Sequence, residues 1–166
     1  MTAVCSARDV VDVSDVVVTC TLSREPVMCG EWLRPELTVL TVGSYQPDRR
    51  EIDVHASRRA TAVYTDNVAK ALANGGPIME AVEAGALSPA KLIAIGDVLD
   101  GRAAGRASND DLLMYHCMAW ESRTRPQPGL RIPRRWHKEL EPASRSEVLS
   151  IRISRSSAGH VGDSRV

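Results

Sequence analysis

Apolar runs of strand length, broken by polar turns, set the rhythm of the first half of this chain. Asp15-Val16-Val17-Val18-Thr19-Cys20-Thr21 and Leu37-Thr38-Val39-Leu40-Thr41-Val42-Gly43-Ser44 are dense in β-branched residues. Continuous runs of this kind predict strands buried on both faces, the habit of parallel sheets in α/β proteins. Ala60 to Thr65 is a third such run. Between the runs the pattern predicts helices: residues 5 to 13 with Ser6 as a cap, one turn at Gly30 to Leu33, and a segment between Asp48 and Arg59. Further helices are predicted over Val68 to Ala73 (capped by Asp66 and Asn67), Ile78 to Ala84, Ala90 to Leu99 and Asp110 to Ala119, with Gly75-Gly76-Pro77 as a turn. The fold class is therefore α/β, a parallel sheet flanked by helices.

Beyond about Glu121 the apolar periodicity is lost. Thr124 to Val166 holds nine Lys and Arg against four Asp and Glu, among many Ser and Pro. A segment of this composition cannot offset an ordering cost of roughly 1–2 kcal/mol per residue. Two parts are expected: residues 1–120 as a folded unit and 121–166 as a disordered basic tail.

Composition narrows the function. The 166 residues carry a formal net charge of zero, which argues against nucleic acid as a partner, although a basic tail alone could reach for it. No apolar run is long enough to cross a membrane and no secretory leader is present, so a soluble cytoplasmic chain is the default expectation. Cys5, Cys20, Cys29 and Cys117 lack metal-ligand spacing and read as reduced thiols; no metal is expected. In open parallel sheets ligands bind beyond the carboxyl ends of the strands. Here those ends are Thr19-Cys20-Thr21 and Val42-Gly43-Ser44-Tyr45, small and hydrogen-bonding.

The same residues carry a family resemblance. An acidic residue before VVVT-x-T, then SREPV-x-x-GEWLRP, then VGS-x-x-PD-x-RE-I-D resembles the ornithine cyclodeaminase/mu-crystallin family. Gly75 to Ile78, GALSP at Gly85 to Pro89 and GDVLDGRAAGRASNDD at Gly96 to Asp111 follow in the family's order, over roughly residues 1 to 119. The resemblance implies a partial Rossmann-like domain, the second half of an NAD- or NADP-binding fold. Family members are about twice as long, and their amino-terminal substrate and dimerisation domain and Gly-rich phosphate loop have no counterpart in these residues. It also implies hydride transfer on an amino acid or a cyclic imine, of cyclodeaminase or ketimine-reductase type. The alternative is a non-catalytic remnant with a structural or interaction role.

Carried over by position, Thr19 matches a hydroxyl that contacts cofactor, and Val42, Gly43 and Ser44 match the tripeptide beneath the nicotinamide ring. Gly43 would let ring and backbone approach closely, or would simply let the strand turn; Thr19 and Thr21 could equally be ordinary strand formers. Tyr45 stands where cyclodeaminases carry a proton-shuttling Asp. A phenol is a poor base at neutral pH but can donate a proton, which favours imine reduction over cyclodeamination. Asp48 reads as a loop or helix cap rather than a replacement carboxylate. Arg49, Arg50 and Glu51 match a run near the cofactor loop, with Arg49 as the candidate contact; a solvated surface pairing explains them as well. Tyr115 to Ala119 departs from the family's Tyr-Lys-Ser-x-Gly: Cys117 replaces a nicotinamide-holding Ser, His116 a Lys and Ala119 a Gly. His55, His137 and His160 read as surface residues.

Overall fold

Helix α1 (Ala7–Val13) begins where the Ser6 hydroxyl accepts the Asp9 amide at 3.2 Å, the expected cap. The computed structural model describes residues 6–118 and 147–151. Strands β1 (Val16–Cys20) and β2 (Thr38–Thr41) fill the two Val-rich runs, with a 3-10 turn at Gly30–Trp32 between them. Helix α2 (Val54–Arg59) is capped by Asp53, β3 (Ala62–Thr65) is the third run, and α3 (Val68–Asn74) is capped by Asn67. Then come α4 (Gly76–Glu83), β4 (Leu92–Ala94), α5 (Ile95–Leu99), β5 (Leu113–His116) and β6 (Glu147–Ile151).

The sheet order is β4-β3-β5-β2-β1-β6. The first five strands run parallel, and β6 joins β1 antiparallel. The α/β Rossmann-like class read from the sequence is the class observed.

Four local expectations are corrected. Asp110–Ala119 is not a helix: its centre is β5, hydrogen-bonded on both sides, to β2 and β3. Met114 and His116 are buried while Leu113 and Tyr115 are half-buried, a period of two. Ala90–Leu99 divides into a 3-10 turn at Pro89–Lys91, β4 and α5, because Leu92-Ile93-Ala94 pairs with β3. Gly76 and Pro77 open α4 instead of forming a free turn; Pro is tolerated there because the first helical amides have no partner in the helix. Residues 147–151, inside the segment expected to lack structure, form β6, while the rest of 119–166 lies outside the described residues.

Burial across the sheet is one-sided, which corrects the expectation of strands sealed on both faces. The register sets Val17, Val39, Met114, Val63 and Leu92 in one row, none more than 7% exposed. They form one core with Val11 of α1, Ala56 of α2, Ala71 of α3 and Ile78 and Ala81 of α4. The adjacent row, Val18, Leu40, Tyr115, Tyr64 and Ile93, points to the other face and is mostly half-buried. There a cavity of about 360 Å³ opens, lined by Leu40, Tyr64, Tyr115, Ile95, Val98 and Arg106 among others. Helices α1 to α4 seal the first face; short α5 contributes only Ile95 and Val98 to the second.

Candidate site at the carboxyl ends of the strands

The last register row of the parallel strands is polar: Thr19, Thr41, His116 and Thr65 lie side by side across β1, β2, β5 and β3. All four are at most 2% exposed. Buried polar groups need partners, and most of these are satisfied locally. The Thr41 hydroxyl meets His116 Nδ1 at 2.7 Å, and the Thr19 hydroxyl reaches the Leu40 carbonyl at 3.4 Å. His116 Nε2 is buried with no partner among the described residues. Burial alone pulls the imidazole down to about 4, so it is neutral at physiological pH.

Just past this row the strand ends are tied together. The Val42 amide donates to the Thr19 carbonyl and the Cys117 amide to the Thr41 carbonyl, each at 2.9 Å, carrying the parallel pairing one step beyond the strands. The Met118 amide donates to Asp66 Oδ1 at 2.8 Å, which fixes the exit of β5 against the exit of β3.

Glu51 completes the arrangement. Its side chain is fully buried. Oε1 accepts the Thr21 amide at 2.6 Å; Oε2 accepts the Gly43 amide at 2.9 Å and the Ser44 hydroxyl at 3.0 Å. One carboxyl thus clamps the ends of β1 and β2. Burial pushes its pKa above the usual carboxylate range, and the bonds from Thr21, Ser44 and Gly43 pull it back. The expectation of a solvated pairing at Glu51 is corrected. Its backbone carbonyl accepts the Val27 and Met28 amides, which draws the side chain inward. The only sequence signal was its place immediately before an apolar Ile52 that is itself fully buried.

The sequence-derived residues are therefore placed as follows. Thr19, Val42, Gly43, Ser44 and Cys117 converge on the ends of β1, β2 and β5. Thr19, Gly43, Ser44 and Cys117 are buried and Val42 is half-buried. Gly43 must be glycine for a reason not foreseen: a Cβ there would stand 1.7 Å from the Thr21 carbonyl oxygen. The neighbouring strand, before any ligand, forbids a side chain. Tyr45 is half-buried and packs against the hydrophobic core. Arg49 bonds the Leu22 carbonyl, with Nε 3.8 Å from Asp48. Arg50 pairs with Glu80 at 2.6 Å. Asp48 is an exposed partner of Arg24 at 3.1 Å; the cap of α2 is Asp53, which accepts the Ala56 amide at 2.8 Å. His55 is exposed, whereas His137, His160 and Ala119 lie outside the described residues.

The Cys117 thiol lies 4.0 Å from Asp66 Oδ2, and no disulfide joins Cys20, Cys29 or Cys117. Among the described residues there is no cluster able to hold a metal, and no helix long and apolar enough to cross a membrane.

The chain is 35% identical over 100 residues to ketimine reductase mu-crystallin of Mus musculus, covering 59% of this chain and 29% of that one. A probable ornithine cyclodeaminase from Bordetella pertussis Tohama I superposes with a TM-score of 0.61 at 35% identity, over 68% of this chain and 36% of that one. Thermococcus litoralis Δ1-pyrroline-2-carboxylate reductase, solved with NADH and L-proline, gives 0.66 at 26% identity, over 69% and 35%. The chain thus spans about a third of the length of these relatives. The model of the ornithine cyclodeaminase/mu-crystallin family matches residues 1–120, well over half of the chain, and the chain belongs to that family.

Proposed function

We propose that the carboxyl ends of β1, β2 and β5 form the nicotinamide end of an NAD(P) site serving hydride transfer on an amino acid or cyclic imine. The observation that carries this reading is the convergence of Thr19, Val42, Gly43, Ser44 and Cys117 on one edge of a parallel sheet, the side where such folds bind ligands. Small side chains and strand-end backbone there suit a flat ring. Relatives solved with NADH or NAD support the cofactor class. When bound, the nicotinamide supplies or accepts the hydride.

The chain's own residues do the rest. The Glu51 clamp fixes the Gly43–Ser44 backbone before any ligand arrives, so no ordering remains to be done at the moment of reaction. Thr19 and Cys117 flank that floor, and Arg49 holds the Leu22 carbonyl in the loop after β1. Tyr45 follows directly and is the proton donor in this reading; its hydroxyl replaces the carboxylate a cyclodeaminase would use, so reduction of a cyclic imine is favoured. The reading includes a cytoplasmic setting and a homodimer formed through a substrate domain.

A second reading has its own observation. These residues contain no G-x-G-x-x-G opening a helix after a strand, the usual cradle for a pyrophosphate. On that reading the chain is a non-catalytic family member. Calorimetric and fluorescence titration of NADH and NADPH into the full chain separates the two: no signal at millimolar cofactor refutes the site. Where binding occurs, assays with cyclic imines and with ornithine follow, and an unchanged rate in Tyr45→Phe removes Tyr45 as the donor.

A further inference from the structure

The Glu51 carboxyl has an unusual set of partners. Two backbone amides and the Ser44 hydroxyl donate to it, spread over both oxygens. That array fits a carboxylate, since a protonated acid would need an acceptor for its own hydrogen. None of the ion pairs among the described residues includes Glu51. Its chain neighbours direct their guanidinium groups elsewhere, Arg49 to the Leu22 carbonyl and Asp48, Arg50 to Glu80 and the Pro47 carbonyl. The result is a fully buried acid beneath the Gly43–Ser44 backbone, held by dipoles rather than by a counter-cation.

We propose that Glu51 is a positioning residue whose buried charge sets the redox preference of the site, holding the oxidised, cationic nicotinamide more tightly than the reduced, neutral one. This rests on the NAD(P) reading above. The two redox forms share their phosphates, riboses and adenine. What differs at the floor is the ring, which carries a positive charge only when oxidised. The ratio of their affinities therefore cancels most contributions from the rest of the cofactor, including a weak phosphate anchor, and reports chiefly the field at the floor. Low-dielectric surroundings, with no cation paired to it among the described residues, let that field extend past the backbone it clamps. At an effective dielectric constant near 20, a unit charge acting even over about 10 Å is worth roughly tenfold in affinity. Surface carboxylates such as Asp48 are screened by water and do not substitute for it.

The test compares NAD+ with NADH, and NADP+ with NADPH, by equilibrium titration at pH 8 into the full chain and into Glu51→Gln, which keeps the shape and removes the charge. In the parent the oxidised form binds more tightly, and in Glu51→Gln the oxidised-over-reduced preference falls by roughly tenfold. If both affinities fall together and the preference is unchanged, Glu51 is a structural clamp only and the proposal is overturned. Circular dichroism verifies the fold of the variant. Should Glu51→Gln not fold, the parent decides alone: equal affinities, or tighter binding of the reduced form, overturn the charge effect. A parent that binds neither form refutes the NAD(P) site itself, a different result from one that binds both without preference.

Discussion

His116 makes a prediction that needs no ligand. Its ring is 2% exposed, engaged among the described residues only at Nδ1, and its pKa falls from 6.5 to about 4 on burial. The folded state therefore binds the imidazole proton less well than the unfolded chain does. The sign follows: the contribution to stability is fully present above pH 6.5 and is lost as pH falls towards 4. At about 1.4 kcal/mol per tenfold change in proton affinity, the whole effect is about 3 kcal/mol. Between pH 7 and pH 5 the linkage relation assigns about 2 kcal/mol of it. Urea unfolding followed by tryptophan fluorescence at pH 7, 6 and 5 measures this, with His116→Gln as the variant that takes up no proton. The variant is less stable at pH 7, because Thr41 loses its partner, but its stability declines more gently with acid. Parallel declines in the two proteins would show that protonating His116 costs nothing, and the account of a buried neutral imidazole bonded to Thr41 would be wrong.

Other consequences follow from the strand ends and caps. Glu51 acts in the opposite sense to His116: its raised pKa means that its cost is fully present above the folded-state pKa and is relieved as pH falls through it, so Glu51→Gln steepens the acid loss of stability seen in pH-dependent unfolding. Gly43→Ala drives a Cβ against the Thr21 carbonyl, a backbone atom that cannot swing aside; a loss of about 1–3 kcal/mol is expected by chemical denaturation, and a neutral result would mean that the β1 and β2 ends are not closely apposed. Asp53→Ala removes the acceptor shared by the Ala56 and Gly30 amides at 2.8 and 2.9 Å, lowering stability by about 1–2 kcal/mol. Hydrogen exchange in that variant should rise first at α2 and at the turn over Gly30–Trp32.

The sequence was most legible where local signals and tertiary structure agree. Val16–Cys20 could be read to the residue, because β-branched density predicts a strand and parallel pairing rewards the same residues. Ser6 and Asn67 were readable as caps, since their side chains satisfy amides only three residues away. Leu113–His116 misled because Leu and Met favour helix in isolation, while two flanking strands offer hydrogen bonds on both sides. At the site, Thr19, Gly43 and Ser44 were visible as small residues ending apolar runs. Glu51 was not: an acid within an Arg-Arg-Glu string signals surface, and only long-range contacts to Thr21 and Gly43 reveal a buried clamp. Gly43 was read as a position whose missing side chain would admit a ligand ring or let the strand turn; the reason visible in the fold is the Thr21 carbonyl.

Strand β6 lies outside the residues matched by the family model, yet all five of its residues pair with Val16–Cys20. Shortening the chain to its family-matched portion would strip that partner and leave a flat, valine-rich margin of open amides and carbonyls. Such margins recruit a second chain by strand addition. A version ending near residue 120 is therefore expected to self-associate with rising concentration in sedimentation or light scattering, and a trimmed protein made for crystals or assays would acquire a stickiness that the longer chain keeps covered.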